Sequence, residues 1–250
     1  MPSAGNTRSG YAHDMRVEIY SDVVCPWCAI GKARFEKAVA MLSKEQSASI
    51  EVIWRPYQLD PAAPATPTPV AIGYAKKFGG PERAKQIIDN VTQTAAGDGI
   101  TFRMDIAQRA NTFDAHRLIG KALIDGGPAL QHRVKQRLLD AYFTEGTDIG
   151  SRVELARLSV ESGLFATLVA ASDFLSSKAL VEQTRDEIAE GVDRGVSAVP
   201  TFVFDGQWSV PGAQDPEVFV RVFDRLFAQR ERKELAGVAA DSCAVDSPGC

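Results

Sequence analysis

Cys25 and Cys28 stand three positions apart in SDVVCPWCAIGKARFEKAV, residues 21–39. Cysteines so spaced can bind zinc, form a structural bridge, or exchange electrons as a dithiol. Apolar Val23–Val24 precede them and a helical pattern follows from Pro26, so Cys25 is expected at the N-terminal edge of a helix. There the unpaired N–H groups and the helix dipole favour an anion, drawing a thiol pKa from ~8.5 into the range ~3.5–7.5. Cys28 follows one turn later, near enough to close a small ring. Cys25 is therefore the expected nucleophile and Cys28 the resolving thiol that releases a mixed disulfide. Pro26 and Trp27 stiffen the loop between them and shield the second sulfur. Zinc ordinarily takes four ligands. The other cysteines, Cys243 and Cys250, are separated from this pair by 214 residues and have a wider spacing, and His13, His116 and His132 show no ligand pattern. No metal is expected, and redox exchange is the favoured chemistry.

A second candidate element is SAVPTFVF, where the Val199–Pro200 bond enters a strand. Proline in a strand calls for a special backbone geometry. A cis peptide supplies one, and for an X-Pro bond it costs only ~0.5–1 kcal/mol. The backbone of Val199 would then be free to hold an extended substrate chain beside the Cys25 sulfur.

The elements that must position these residues follow from periodicity. MRVEIYSDVV has the alternation and then the apolar run of a short buried strand. Phe35, Ala38, Val39 and Leu42 mark one face of a helix that opens at Pro26, where a missing N–H costs nothing. Ile50–Trp54 returns to strand character, giving a strand–helix–strand unit with parallel pairing. A Pro/Thr/Ala connector spans 61–70, and helical patterns broken by glycine turns fill 70–180. Asn111 or Thr112 is the expected cap of one of these helices, and Gly126–Gly127 its stop. Thr201–Phe204 and Trp208–Val210 flank Asp205–Gly206, read as a two-residue hairpin turn. A final helix opens at Asp215–Pro216. The order is β-α-β, helical insertion, α-β-β-α, which is an α/β thioredoxin-fold layout. Its expected parts are a disordered leader (1–14), a thioredoxin-fold domain (15–65 and 180–230), an all-helical insertion (66–179) and a flexible cysteine-bearing tail (231–250).

SDVVCPWC, VPTFVFDGQWSVPGAQ and NTFDAHRL together resemble the DsbA-type thioredoxin-fold oxidoreductases, in particular their FrnE-like branch, which is related to 2-hydroxychromene-2-carboxylate isomerases. The resemblance runs over about residues 15–230. It implies dithiol–disulfide exchange, with Cys25 exposed and attacking, Cys28 buried, and a cis Pro200 facing them. By the same resemblance NTFDAHRL lies near the groove, which makes Asn111 and His116 second-rank candidates. Where DsbA carries His between its cysteines this chain has Trp27. Losing that imidazolium is expected to move the couple from the strongly oxidising ~-120 mV toward the thioredoxin-like ~-270 mV. The isomerase and kappa-class glutathione transferase relatives typically place Ser where this chain keeps Cys25, which argues for disulfide exchange.

Composition limits the remaining choices. In 250 residues the formal net charge is -4 and the basic residues form no run, so no nucleic-acid partner is expected. No apolar stretch approaches the ~20 residues of a membrane span. The leader lacks the apolar core of a secretory signal, which points to a reducing cytoplasm. Expected partners are disulfide-bearing client proteins or small disulfides. No tightly bound cofactor is expected, with glutathione or another low-molecular-weight thiol as candidate electron donor. From Arg230 to Cys243 an extended linker could reach about 43–47 Å at ~3.3–3.6 Å per residue, enough for Cys243 or Cys250 to visit Cys25. The competing functions are a glutathione-dependent isomerase of aromatic metabolism and a redox-sensing holdase.

Overall fold

The computed structural model describes residues 15–64 and 66–245. Strand β1 (Met15–Ser21) leads through helix α1 (Pro26–Ala40) and the short α2 (Lys44–Ala48) to β2 (Ile50–Pro56). β1 and β2 pair in parallel, Val17 opposite Val52 and Ile19 opposite Trp54, as the strand–helix–strand pattern requires. The insertion carries β3 (Thr68–Pro69), α3 (Val70–Phe78), α4 (Pro81–Gly97), β4 (Gln108–Arg109), α5 (Phe113–Phe143), α6 (Arg152–Glu161) and α7 (Leu168–Ser176). Helix α8 (Val181–Asp193) returns the chain to β5 (Thr201–Phe204), β6 (Trp208–Pro211) and α9 (Pro216–Val245). The main sheet runs β2-β1-β5-β6, with β5 antiparallel to both its neighbours.

Central β1 is covered on both faces. On one, Phe35 of α1 stacks on Phe202 of β5 (ring centroids 5.3 Å) and meets Phe219 of α9 edge-on (5.5 Å). On the other, buried Glu18 receives Arg55 of β2 at 2.7 Å and Arg194, just past α8, at 3.3 Å. A strand buried on both faces reads as a near-continuous apolar run, and Glu18 is the paired exception. The edge of β2 is closed by the insertion itself. The Gln131 amide of α5 accepts from the Trp54 N–H and donates to the Trp54 carbonyl, both at 2.9 Å. A side-chain amide thus does the work of a neighbouring strand at Trp54.

Several expectations are corrected. The insertion is not purely helical, because β3 and β4 form a two-residue antiparallel pair. The hairpin loop has three residues, since Phe204 pairs with Trp208 and Gln207 lies outside the ladder. Its backbone is set by Asp205 at φ 51°, whose carboxylate accepts from the Arg16 N–H at 2.9 Å. The tail read as flexible from residue 231 is helical to Val245, for the charged and small residues after Phe227 are good helix formers. Over the 13 residues from Arg230 to Cys243 a helix rises only about 20 Å at ~1.5 Å per residue, so the extended reach of that segment does not exist. Cys250 and the leader lie outside the described residues. The Gly126–Gly127 stop stands: both are non-helical and, with Pro128, divide α5 into two helical arms.

Candidate active site

Cys25 occupies the N-cap position of α1, with Pro26 as the first helical residue and the N–H groups of Cys28 and Ala29 donating to its carbonyl. Both cysteines are free thiols. Cys28 is 1% exposed, and Cys25, expected to be exposed, is only 4% exposed; Trp27 between them is 40% exposed. What keeps Cys25 reachable is a cavity of about 600 Å³, on whose wall it sits with Pro26, Trp27 and Val199. The insertion roofs this cavity, through Gly73, Tyr74 and Phe78 of α3 and Tyr142 of α5. Lys76 and Lys77 stand at its rim, in no ion pair among the described residues, whereas Arg109 is held by Asp60 at 2.5 Å.

The Val199–Pro200 bond is cis, as the resemblance implied. The Cys25 Sγ lies 3.7 Å from the Val199 carbonyl oxygen. Gly31 permits this approach of helix and loop: a Cβ there would fall 2.8 Å from the Pro200 ring and 3.4 Å from Ala213. The spacing of Gly31 from the cysteines carried no signal of this, because the clash is with a segment far along the chain.

The two thiols ionise as one unit. Hydrogen bonding to Cys28, together with burial, pushes the Cys25 thiol up. Burial also opposes charge on Cys28, but the Cys25 S–H, the Lys135 ammonium and Ser21 outweigh it and hold that thiol below its ordinary value. The pair therefore gives up a first proton readily and holds the second strongly. The single charge that remains belongs to the pair. The helix terminus and the buried Lys135 ammonium both favour an anion on this pair, against the burial that opposes it.

Behind the dithiol lies a buried polar cluster that pattern reading did not bring together. The Asp22 carboxylate accepts from the Val23 and Leu59 N–H groups, each at 2.8 Å, and faces His116 Nε2 at 3.3 Å. Burial raises the Asp22 pKa, but His116 and the Leu59 N–H outweigh this and hold the carboxyl below its usual range. Lys135, from the second arm of α5, is buried to 1% exposure with its ammonium 5.4 Å from the Trp54 ring. Burial lowers its pKa to about 8 against the pull of Cys28, Asp22 and Cys25. His116, a second-rank candidate, thus lies behind the sulfurs rather than on the cavity wall. Asn111 does not reach them either. Its amide accepts from the Phe113 N–H (3.0 Å) and donates to the Pro61 carbonyl (2.9 Å), tying the connector to the start of α5. Arg117 of the same motif donates to the carbonyls of Phe174, Leu175, Ser177 and Ala179, so NTFDAHRL is chiefly a joint of the insertion. The Cys243 backbone is helical. Among the described residues no three His, Cys, Asp or Glu side chains gather as metal ligands.

A dithiol at a helix N-terminus, opposite a cis-proline loop, on a four-stranded sheet interrupted by a helical insertion defines a thioredoxin-fold protein of the DsbA architecture. Comparison with known proteins agrees. The DSBA-like thioredoxin domain matches residues 16–224, and the chain belongs to that family as a DsbA-family oxidoreductase. It is 27% identical over 210 residues to the uncharacterized protein YwbO of Bacillus subtilis (strain 168), covering 82% of this chain and 94% of that one. A probable DsbA oxidoreductase from Streptomyces coelicolor superposes with a TM-score of 0.76 at 32% identity, over 86% of this chain and 90% of that one. The cytosolic disulfide reductase DsbM of Pseudomonas aeruginosa, known also with GSH, shares the fold at 18% identity and a TM-score of 0.59, over 86% and 99%.

Proposed function

We propose that the Cys25–Cys28 dithiol reduces or isomerises disulfides of client proteins or of low-molecular-weight compounds, in the cytoplasm. The observation that carries this is the placement of the Cys25 sulfur on the wall of a 600 Å³ cavity, 3.7 Å from a backbone carbonyl and backed by a resolving thiol. With the pair's remaining proton on Cys28, the Cys25 thiolate attacks one sulfur of the disulfide, expelling the other as a thiolate. Cys28, deprotonated in turn, attacks the Cys25 sulfur and releases the second thiolate. Two electrons leave the dithiol, two thiols are formed, and Cys25–Cys28 closes as a disulfide. A low-molecular-weight thiol such as glutathione returns the electrons. Val199 offers backbone contacts to the bound partner, and Trp27 packs on it at the cavity mouth.

The roofed, aromatic-lined cavity favours small disulfides, and the Lys76 and Lys77 ammoniums favour ones bearing carboxylates. The same roofed cavity supports one second reading, glutathione-assisted isomerisation of a small aromatic compound. The deciding experiment measures insulin reduction and reduction of glutathione disulfide by the protein and its Cys25→Ser and Cys28→Ser variants, together with the potential of the couple against glutathione. Cys25→Ser is expected to abolish both reductions, and Cys28→Ser to halt at a stable mixed disulfide. The potential is expected between those of DsbA and thioredoxin. Full activity of Cys25→Ser would refute the assignment.

A further inference from the structure

Two phenols on the cavity wall are not used by the chemistry described so far. Tyr142 is 1% exposed, its ring edge-on to Phe143 at 4.8 Å, and it lines the same cavity as Cys25. Tyr74, half-buried on α3, faces that cavity from the other side of the roof. Neither hydroxyl is hydrogen-bonded to another described residue, and both lie within the field of the Cys25 sulfur. Neither hydroxyl is among the buried polar atoms left without a partner, so each opens onto the cavity and is available to donate to a group that enters it. Two phenol donors lining the cavity that also carries a nucleophilic sulfur point to a partner that arrives with the substrate. Both also keep their protons. Burial and the Cys25 charge push Tyr74 up to about 12, and burial together with neighbouring negative groups pushes Tyr142 higher still.

We propose that Tyr142, assisted by Tyr74, is a catalytic hydrogen-bond donor to the sulfur that departs when Cys25 attacks a small alkyl disulfide. The inference rests on the disulfide-exchange reading above and adds to it the groups that receive the leaving thiolate. As the new Cys25–S bond forms and the substrate S–S bond breaks, the electron pair of that bond stays on the departing sulfur. The phenol O–H bonds to that thiolate while it remains in the cavity, and the thiolate takes its proton from water on release. When Cys28 displaces the second substrate sulfur, the same donors serve again. The phenols return unchanged, and the dithiol supplies both electrons.

A donor of this kind matters in proportion to the basicity of the leaving thiolate. An alkyl thiolate carries its charge on sulfur; an aromatic one spreads it into the ring and leaves unaided. The test is single-turnover stopped-flow reduction of hydroxyethyl disulfide and of dithiodipyridine by the full chain and by Tyr142→Phe and Tyr74→Phe. Tyr142→Phe is expected to slow the alkyl reaction ~10-fold or more, the worth of a hydrogen bond to a charged group, and the aryl reaction less than ~2-fold. Tyr74→Phe is expected to show the same selectivity at smaller amplitude. Equal slowing of both reactions overturns the proposal, since it would place the effect on Cys25 or on packing, and so does the absence of slowing in either. Should Tyr142→Phe fail to fold, the Tyr74→Phe selectivity on exposed α3 decides alone, and its absence overturns the proposal. A parent chain inert toward both disulfides overturns the oxidoreductase reading itself, a result distinct from either variant outcome.

Discussion

Lys135→Met isolates the cost of keeping a cation behind the dithiol. Burial lowers the Lys135 pKa from 10.5 to about 8, against the opposing attraction of Cys28, Asp22 and Cys25. At ~1.4 kcal/mol per pKa unit, the charged form is penalised by about 3 kcal/mol in the folded chain. Between pH 8 and 10.5 the unfolded chain binds the lysine proton and the folded chain does not, so stability rises with pH across that window. The penalty is therefore complete below about pH 8 and relieved above 10.5. Methionine keeps most of the volume and removes the charge, but it forfeits the ammonium–indole contact with Trp54, worth ~1 kcal/mol. The variant should then be more stable than its parent by about 2 kcal/mol at neutral pH. The difference should shrink steadily toward pH 10.5. Urea unfolding of both proteins over this range, held reduced with a phosphine, measures it. A variant less stable at neutral pH, with a difference that does not change with pH, refutes the reasoning. The same substitution removes a cation that favours the thiolate, so iodoacetamide alkylation should move to higher pH. Because the reduced form loses that attraction and the disulfide form has no thiolate to lose, the couple should also become more reducing.

Three further outcomes follow from the geometry. Gly31→Ala puts a methyl 2.8 Å from the Pro200 ring, and overpacking of this kind costs ~1–3 kcal/mol; thermal unfolding should show the loss and turnover should fall with it, because the helix bearing both cysteines is displaced from the loop. Asp22→Asn removes the carboxylate charge that the Val23 and Leu59 N–H groups and His116 meet, and should cost about 2 kcal/mol at neutral pH. Since the folded Asp22 pKa lies below its ordinary 3.8, that stabilisation is present above 3.8 and is lost as pH falls through the lower folded value, so the variant should lose this part of the acid-unfolding limb in a pH-dependent melt. Gln131→Leu removes both amide hydrogen bonds that close the edge of β2 and leaves the Trp54 N–H and carbonyl unpaired; hydrogen exchange should report faster opening of β2 and chemical unfolding a loss of about 2 kcal/mol.

Much of the fold was legible because it depends on local rules. Period-two and helical apolar patterns located the strands and helices, glycine pairs marked the break in α5, and Pro26 marked the start of α1. The errors came where a residue obeys a distant partner. Gln207 falls outside the hairpin ladder because Asp205 is anchored to Arg16, and the chain beyond residue 230 stays helical because nothing in its residues ends the helix. The candidate site divides in the same way. Cys25, Cys28 and Val199–Pro200 announce themselves by type and spacing. His116 was singled out for its motif, but its part is to hold Asp22 behind the sulfurs, and Asn111 serves as a tether. Lys135, Gly31, Tyr74 and Tyr142 gave no signal, for each is an ordinary residue of an ordinary helix until the insertion folds back over the dithiol.

The amino-acid order by itself determined a dithiol at the head of a helix, a prolyl bond at the entry to a strand, and the alternation that builds a thioredoxin sheet. Those are consequences of neighbours along the chain, where period, capping and turn chemistry act. Tertiary structure alone decided that both sulfurs are buried, that they share their proton beside a buried amine, and that a roofed cavity rather than open solvent meets Cys25. Desolvation and shape are properties of groups brought together from far apart, and no spacing in the chain encodes them.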